Sequence, residues 1–172
     1  MPKFKNVEVS LKLPGFAEIK GIWEPDENER SAAWEMYVEL VTRISIVELG
    51  PDEGLLREAL SSLHSIFKST RAILRKYGPV VAQPKRENNL SFGYLAVAVI
   101  NIVLRPVLAK WHPLLFDYEN KREDSVSPVE HERHWDKNDE LRQVLNGTRL
   151  ILIHYADLLA KVAGVPSLVL KK

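Results

Sequence analysis

The sequence contains no cysteine, and this absence excludes disulfide bonds, thiol catalysis and thiolate-bound metals. It suits a reducing compartment, so we expect a cytoplasmic protein. The net charge of +1 gives no overall field, and composition therefore gives no sign of nucleic acid or an acidic membrane as a partner. The first residues, MPKFKNVEVSLK, carry charges where a signal peptide has its apolar region, so we expect no signal peptide.

Several catalytic motifs are also missing. The chain has no glycine-rich phosphate loop, no Gly-x-Ser-x-Gly, no His-Glu-x-x-His and no stripe of basic and aromatic residues. We therefore expect no cofactor. The most polar cluster contains His131 and His134, which one face of a helix would bring together as candidate metal ligands. The Glu-x-x-His pairs of carboxylate di-metal bundles are absent, however, so a solvated helix start is the simpler interpretation.

What the chain does have is enough apolar residues for one domain spanning residues 1–172, since 45% of the 172 residues are hydrophobic. The segment from Leu90 to Trp111 is apolar on every side over its first two-thirds, which predicts a helix covered on every side. Its uncharged part covers only residues 90–104, against the about 20 residues that span a bilayer. We therefore expect a buried central helix, kinked or divided at Pro106.

The amino-terminal part predicts a β-hairpin over residues 3–24. Apolar and polar residues alternate on both sides of Pro14-Gly15, as in half-buried strands. A three-residue loop at 14–16 sets Leu11 opposite Ile19 and Val7 opposite Trp23, which collects the apolar residues on one face.

Periodic apolar residues and helix signals predict the remaining elements. We expect bundle helices at 26–49, 51–77, 90–111 and 139–163, with a capping segment and short helix at 112–138. Asp26 and Glu29 form a capping-box pattern, and Gly50-Pro51 indicates that the second helix follows the first with almost no loop. Ser127-Pro128 predicts the start of the short helix. The fold class is therefore mainly α, a four-helix up-down-up-down bundle with an N-terminal hairpin.

Three arginine–histidine pairs resemble the Arg-x(4–6)-His motif of helical-bundle ribonucleases of the HEPN superfamily. The pairs are Arg57 with His64, Arg105 with His112, and Arg149 with His154. The family usually has a polar residue directly after the arginine, and here only Glu58 is polar. Arg149 and His154, the catalytic candidates, lie about 140° apart around an ideal helix, which is poor for joint action.

The candidate binding residues lie in and after the apolar helix. They are Asn101, Trp111, His112, Phe116, Asp117 and Tyr118. Aromatic residues are enriched at protein interfaces, although the aromatic segment also fits a plug over one end of the core. A buried Asn101 would fix helix register or bind a ligand.

The function that we expect is a non-catalytic interaction or adaptor module whose partner is a protein, either a second copy or another chain. One alternative is a bundle nuclease or a metal-dependent hydrolase that uses His131, His134, or Arg149 with His154. Another is an apolar-ligand site inside the bundle around Asn101 and Pro106.

Overall fold

A computed structural model of the protein describes residues 6–43 and 46–169. The fold is mainly helical, with 63% helix and an N-terminal two-stranded antiparallel hairpin, which confirms the predicted fold class at this level. In chain order the elements are β1 (Val7–Leu11), β2 (Ile19–Trp23), α1 (Glu27–Val41), α2 (Leu56–Tyr77), a 3-10 turn (Pro79–Ala82), α3 (Phe92–Ala98), a π-helical segment (Val99–Leu104), α4 (Arg105–Glu119), α5 (Pro128–Arg133) and α6 (Asn138–Ala163). Helix α1 packs against α6 and α2, and α6 also contacts β1.

The hairpin has the predicted register. Val7 lies opposite Trp23 and Leu11 lies opposite Ile19, so the apolar residues share one buried face. Gly21 lies opposite Val9 on the same face, and Leu90 packs so closely there that a Cβ added at Gly21 would lie 2.8 Å from the Leu90 Cδ1. The hairpin therefore rests closely against the segment that leads into α3. Residues 3–5 of the predicted hairpin lie outside the described residues.

A buried carboxylate joins the hairpin to helices α1 and α3. Glu29 is fully buried and completes the predicted capping box with Asp26, whose amide donates to Glu29 Oε2 at 3.1 Å. The same oxygen accepts from Lys85 Nζ at 2.9 Å. Glu29 Oε1 accepts from the Trp23 indole at 3.1 Å and from the Phe92 amide at 3.0 Å. Four segments of the chain thus meet at one side chain.

Helix α1 ends earlier than predicted, and α2 begins later. The prediction of a first helix over 26–49 is wrong beyond Val41, where Thr42 Oγ1 donates to the Val38 carbonyl and the helix stops. The second helix does not begin at Pro51, so the two helices are not joined by a near-absent loop. Val47, which a helix over 26–49 would include, lies beyond the end of α1 and is 58% exposed.

The start of α2 depends on a carboxylate from α5. Leu55, the residue before the helix, makes no side-chain capping bond, and both carboxylate oxygens of Glu132 accept from the Leu56 amide, at 2.9 and 3.0 Å. Burial raises the pKa of Glu132, while the bond from Leu56 and the charge of Arg142 oppose that shift. The Asn138 side chain donates to the Glu132 carbonyl at 2.9 Å, so α5 and α6 are held together at the same point.

Helices α3 and α4 and the π-helical segment form one continuous helix, Phe92–Glu119. No break divides the helix at Pro106, so that part of the prediction is wrong. The helical pattern changes instead in the π-helical segment, which ends at Leu104, two residues before the proline. A proline removes an amide donor from the regular helical ladder, and a π turn is a local change of that ladder. The helix continues to Glu119, so the prediction of a separate capping segment over residues 112–138 is wrong for residues 112–119.

The structure of the carboxyl-terminal half agrees more closely with the prediction. Ser127 caps α5 by accepting from the Glu130 amide at 3.1 Å, and Pro128 is the first helical residue, as predicted. The expected break before the last helix is present, and α6 begins at Asn138, one residue before the predicted start. It ends at Gly164, whose φ of 75° is the left-handed conformation that glycine tolerates.

Candidate functional site

The apolar helix Phe92–Glu119 is exposed along one side. Its most apolar 18-residue window has a mean hydropathy of 1.9, which by length and composition alone is enough to cross a membrane, and 50% of that window is buried. We call its exposed row the outer face. The row consists of Tyr94, Val97, Asn101, Arg105, Ala109, Pro113 and Phe116, at spacings of three and four. The expectation of a helix covered on every side is therefore wrong.

Asn101 lies on the outer face and not in the interior. Its side-chain oxygen accepts from Arg105 Nε and from Arg105 Nη2, both at 3.0 Å. Pro106 is exposed as well. The expectation of a buried amide is wrong because the side of the helix that carries Asn101 has no neighbouring element over it among the described residues. These two residues consequently line no interior cavity for an apolar ligand.

The aromatic segment at the end of α4 divides between core and surface. Trp111 is 1% exposed and meets Trp135 edge to face, with ring centroids 6.1 Å apart, so no partner can reach it. Tyr118 stacks on Trp135, and its hydroxyl donates to the His131 carbonyl at 2.6 Å. Burial raises the pKa of Tyr118. These contacts belong to an end plug over the core.

Two of the predicted binding residues in this segment are open to solvent. Phe116 is 61% exposed and completes the outer face. Asp117 is also exposed and forms an ion pair with Lys121 at 2.9 Å, one helical turn further on. The part of the predicted binding segment that a partner can contact is therefore the side that carries Phe116 and Asp117.

The two candidate metal-ligating histidines serve local contacts. The His131 ring stacks on Tyr118 at 4.0 Å, and its Nε2 bonds the Tyr118 carbonyl at 2.7 Å. His134 Nδ1 bonds the Glu130 carbonyl at 2.7 Å. Since a carbonyl only accepts, these nitrogens are the protonated ones. Among the described residues no group of three or more histidine and acidic side chains is placed to hold a metal ion.

Arg149 and His154 are used differently along α6. Arg149 donates from Nε and Nη2 to the Asn146 side chain, at 3.1 and 2.8 Å, and lies 3.9 Å from a Glu48 carboxylate oxygen. It borders a cavity of about 120 Å³ whose described lining residues do not include His154. His154 is exposed. The structure gives this pair no shared site.

The other two arginine–histidine pairs meet between α2 and α4. Arg57 Nη1 lies 2.7 Å from His112 Nδ1, and its Nε and Nη2 donate to the Glu119 carboxylate at 2.9 and 3.2 Å. The rings of His64 and His112 meet edge to face with centroids 5.9 Å apart. Early residues of α2 thus face late residues of α4, so the two helices run antiparallel.

The protonation of His112 follows from its neighbours. A guanidinium only donates, so His112 Nδ1 is an acceptor and the neutral ring carries its hydrogen on Nε2. Burial lowers the pKa of His112, the positive charge of Arg57 and the neighbouring His64 lower it further, and Glu119 acts in the opposite direction. The ring is therefore held neutral at a pH where an ordinary histidine begins to charge.

Next to this cluster a groove of about 270 Å³ opens between the same two helices. Its described lining consists of His64, Phe67, Arg71, Arg105, Leu108 and Ala109. The guanidinium carbons of Arg71 and Arg105 lie 5.8 and 5.1 Å from the centre of the Phe67 ring. In the sequence, Arg57 with His64 and Arg105 with His112 were recognised only as matches to the Arg-x(4–6)-His pattern. The signal that could have found the cluster is the equal separation of the arginine and the histidine in the two pairs. When two such helices pack antiparallel, the arginine of one can lie beside the histidine of the other, as Arg57 lies beside His112.

Comparison of the chain with protein-family models, with curated proteins and with solved structures finds no match. The functional argument therefore depends on the residues and their geometry. The cytoplasmic location and the protein partner that the sequence suggests stay predictions. The two surfaces that the fold presents for such an argument are the outer face and the groove between α2 and α4.

Proposed function

We propose that this protein is a non-catalytic interaction module that binds a partner protein on the outer face. One observation carries the proposal: the helix Phe92–Glu119 has a mean hydropathy of 1.9 over its most apolar window, yet only half of that window is buried. An apolar helix surface of this kind is stable when another apolar surface covers it. Tyr94, Val97 and Phe116 are 41%, 40% and 61% exposed, so large apolar side chains are present for such a contact.

The chemistry of the outer face indicates which kind of partner surface fits it. The face is apolar at both ends, near Val97 and near Phe116, and its middle holds the hydrogen-bonded pair of Asn101 and Arg105. From Tyr94 to Phe116 it is about 33 Å long at 1.5 Å per residue. An amphipathic helix of the partner fits this surface if it has apolar residues towards both ends and a carboxylate in between, opposite Arg105.

Charge favours a different protein over a second copy. Two copies in antiparallel contact, with Tyr94 of one against Phe116 of the other, would place residue 105 at the centre of symmetry. Two Arg105 guanidinium groups would then face each other. Like charges brought together at an interface cost several kcal/mol, so a partner with an acidic residue at that point is favoured.

The test compares capture by variants of the full chain. Val97→Asp and Phe116→Asp each place a charge on the outer face, and Leu150→Asp is the matched control because Leu150 is a 48% exposed apolar residue on α6. We expect one stoichiometric partner to be retained by the wild type and by the control, and to be reduced at least about tenfold with both outer-face variants. Far-UV circular dichroism confirms that all four proteins are folded.

Three outcomes contradict the proposal. A partner that binds all variants equally uses another surface. Sedimentation that shows a dimer of the wild type, lost only in the outer-face variants, assigns the face to a second copy. Binding to lipid vesicles that the same two variants abolish assigns it to a membrane surface.

A further inference from the structure

The groove between α2 and α4 concentrates positive charge around one aromatic ring. Phe67 is 5% exposed, and the guanidinium groups of Arg71 and Arg105 both lie within 6 Å of its ring centre. His64 borders the same space of about 270 Å³. Two arginines brought to one ring from different helices repel each other, and this repulsion is relieved when an anion lies between them.

The described residues of the groove supply no compensating carboxylate. None of the six described lining residues is acidic, and within the described part of the chain neither Arg71 nor Arg105 forms an ion pair. Arg57, in the neighbouring cluster, is by contrast neutralised by Glu119. The charge of the groove is therefore open to a ligand.

One of the two arginines is held in position in advance. The Asn101 side chain accepts from Nε and Nη2 of Arg105, both at 3.0 Å, and the Phe67 ring lies beneath the same guanidinium. A side chain fixed by its neighbours loses less conformational entropy when it binds a ligand. The Arg105 guanidinium is therefore preorganised for contact with an anion, and the role of Asn101 at the surface is to hold it in place.

We infer that this groove binds the phosphate group of a small anion. Guanidinium groups match phosphate oxygens in bidentate geometry, and a tetrahedral dianion has enough oxygens to accept from two guanidinium groups at once. The small volume fits a phosphate and a short substituent. A single-stranded nucleic acid is disfavoured, since the Phe67 ring is covered and offers no face on which a base can stack.

The groove shares Arg105 and Ala109 with the outer face, so the tests separate the two proposals by residues that belong to one surface only. Arg71 does not belong to the outer face, and Val97 and Phe116 do not line the groove. Loss of partner binding in the Val97 and Phe116 variants therefore says nothing about phosphate, and loss of phosphate binding in an Arg71 variant says nothing about the partner.

The experiment is a titration of the full chain with inorganic phosphate, followed by proton–nitrogen correlation NMR and by the histidine ring protons. We expect saturable shifts of His64 and of amides around Phe67, with half-saturation at about 1 mM or below. Arg71→Gln and Arg105→Gln each weaken binding at least about tenfold. Arg75→Gln, an exposed arginine one turn from Arg71 on the same helix, leaves binding unchanged. Sodium chloride at equal ionic strength gives no saturable shift.

A second arm replaces inorganic phosphate with phosphoserine. Tighter binding of phosphoserine assigns the site to a phosphorylated small molecule, and tighter binding of inorganic phosphate assigns it to the free ion. The inference is overturned if the shifts do not saturate, if chloride reproduces them, or if the Arg75 variant loses as much affinity as the Arg71 variant. It is also overturned if an RNA oligonucleotide binds the groove and phosphate fails to displace it.

Discussion

Replacing Glu29 tests how much the fold depends on one buried carboxylate. Glu29→Gln keeps Oε1, which accepts from Trp23 and Phe92, and turns Oε2 into an amide that faces the Lys85 ammonium and the Asp26 amide. Donors then face donors. Losing a hydrogen bond to a charged group costs about 1.5–3 kcal/mol, so we expect the free energy of unfolding to fall by about 2 kcal/mol.

Glu29→Ala removes all four acceptor contacts. The Trp23 indole and the Phe92 amide then remain unpaired in residues that are 1% and 0% exposed. Each buried unpaired donor adds about 1–3 kcal/mol to the about 2 kcal/mol of the Gln variant, which brings the total loss to about 4–8 kcal/mol. This is a large part of the about 5–15 kcal/mol that a native domain has.

The assay is urea unfolding followed by circular dichroism, with the protection of the Trp23 indole hydrogen against exchange as a local measure. Glu27→Gln is the matched control, because Glu27 is an exposed carboxylate in the same first turn of α1. We expect it to change stability by no more than about 0.5 kcal/mol. The reasoning is refuted if the Gln variant is as stable as the control, or if the Ala variant loses no more than the Gln variant.

Four further substitutions test the electrostatics and the packing of the fold. Because burial raises the pKa of Glu132, the folded state favours the neutral carboxyl group, so the stability that this group contributes is fully present below the unfolded pKa and is lost as pH rises through the raised folded pKa. The difference in the free energy of unfolding between the wild type and Glu132→Gln should therefore fall with rising pH in urea titrations. The pKa of His112 should rise in Arg57→Gln, because a positive charge that disfavours the protonated ring is removed and Glu119 is released, and NMR titration of the ring proton measures it. Gly147→Ala should stabilise the protein by about 0.5–1 kcal/mol, since a Cβ there meets nothing within 4 Å in a helix interior. Gly93→Ala should destabilise it by about 1–3 kcal/mol, since a Cβ there lies 2.7 Å from a neighbouring side chain; thermal unfolding compares the two.

The contrary results are equally definite. A Glu132 difference that grows with pH would show that the ionised form is the one the fold prefers. A His112 pKa that is ordinary in the wild type and unchanged in the Arg57 variant would remove the electrostatic link between α2 and α4. Equal effects of the two glycine substitutions would contradict the close packing at Gly93.

The elements that were predicted correctly are those specified by neighbouring residues. The hairpin register follows from the apolar alternation around Gly15, and the capping pattern of Asp26 with Glu29 lies within four residues. The start of α5 at Ser127-Pro128 is equally local. In each case the partners of the hydrogen bonds lie in the same short segment, so the sequence contains the whole interaction.

The errors concern interactions between distant parts of the chain. The start of α2 was misplaced because its cap comes from Glu132, 76 residues after Leu56. The burial of Asn101 was mistaken because hydropathy shows that a helix is apolar without showing which of its sides another element covers. The groove was missed for the same reason, since Arg71 and Arg105 meet only after two helices have packed.

The cap of α2 has a consequence for synthesis of the protein. A chain growing from its amino end completes the α2 segment well before it reaches Glu132, so the Leu56 amide has no carboxylate to accept its hydrogen during that interval. The first turn of α2 should therefore lack its cap, and fray, until Glu132 has been added. A fragment that stops before α5 should contain the α2 sequence with a melted first turn, and on the ribosome α2 should become fully protected from proteolysis only after α5 has emerged.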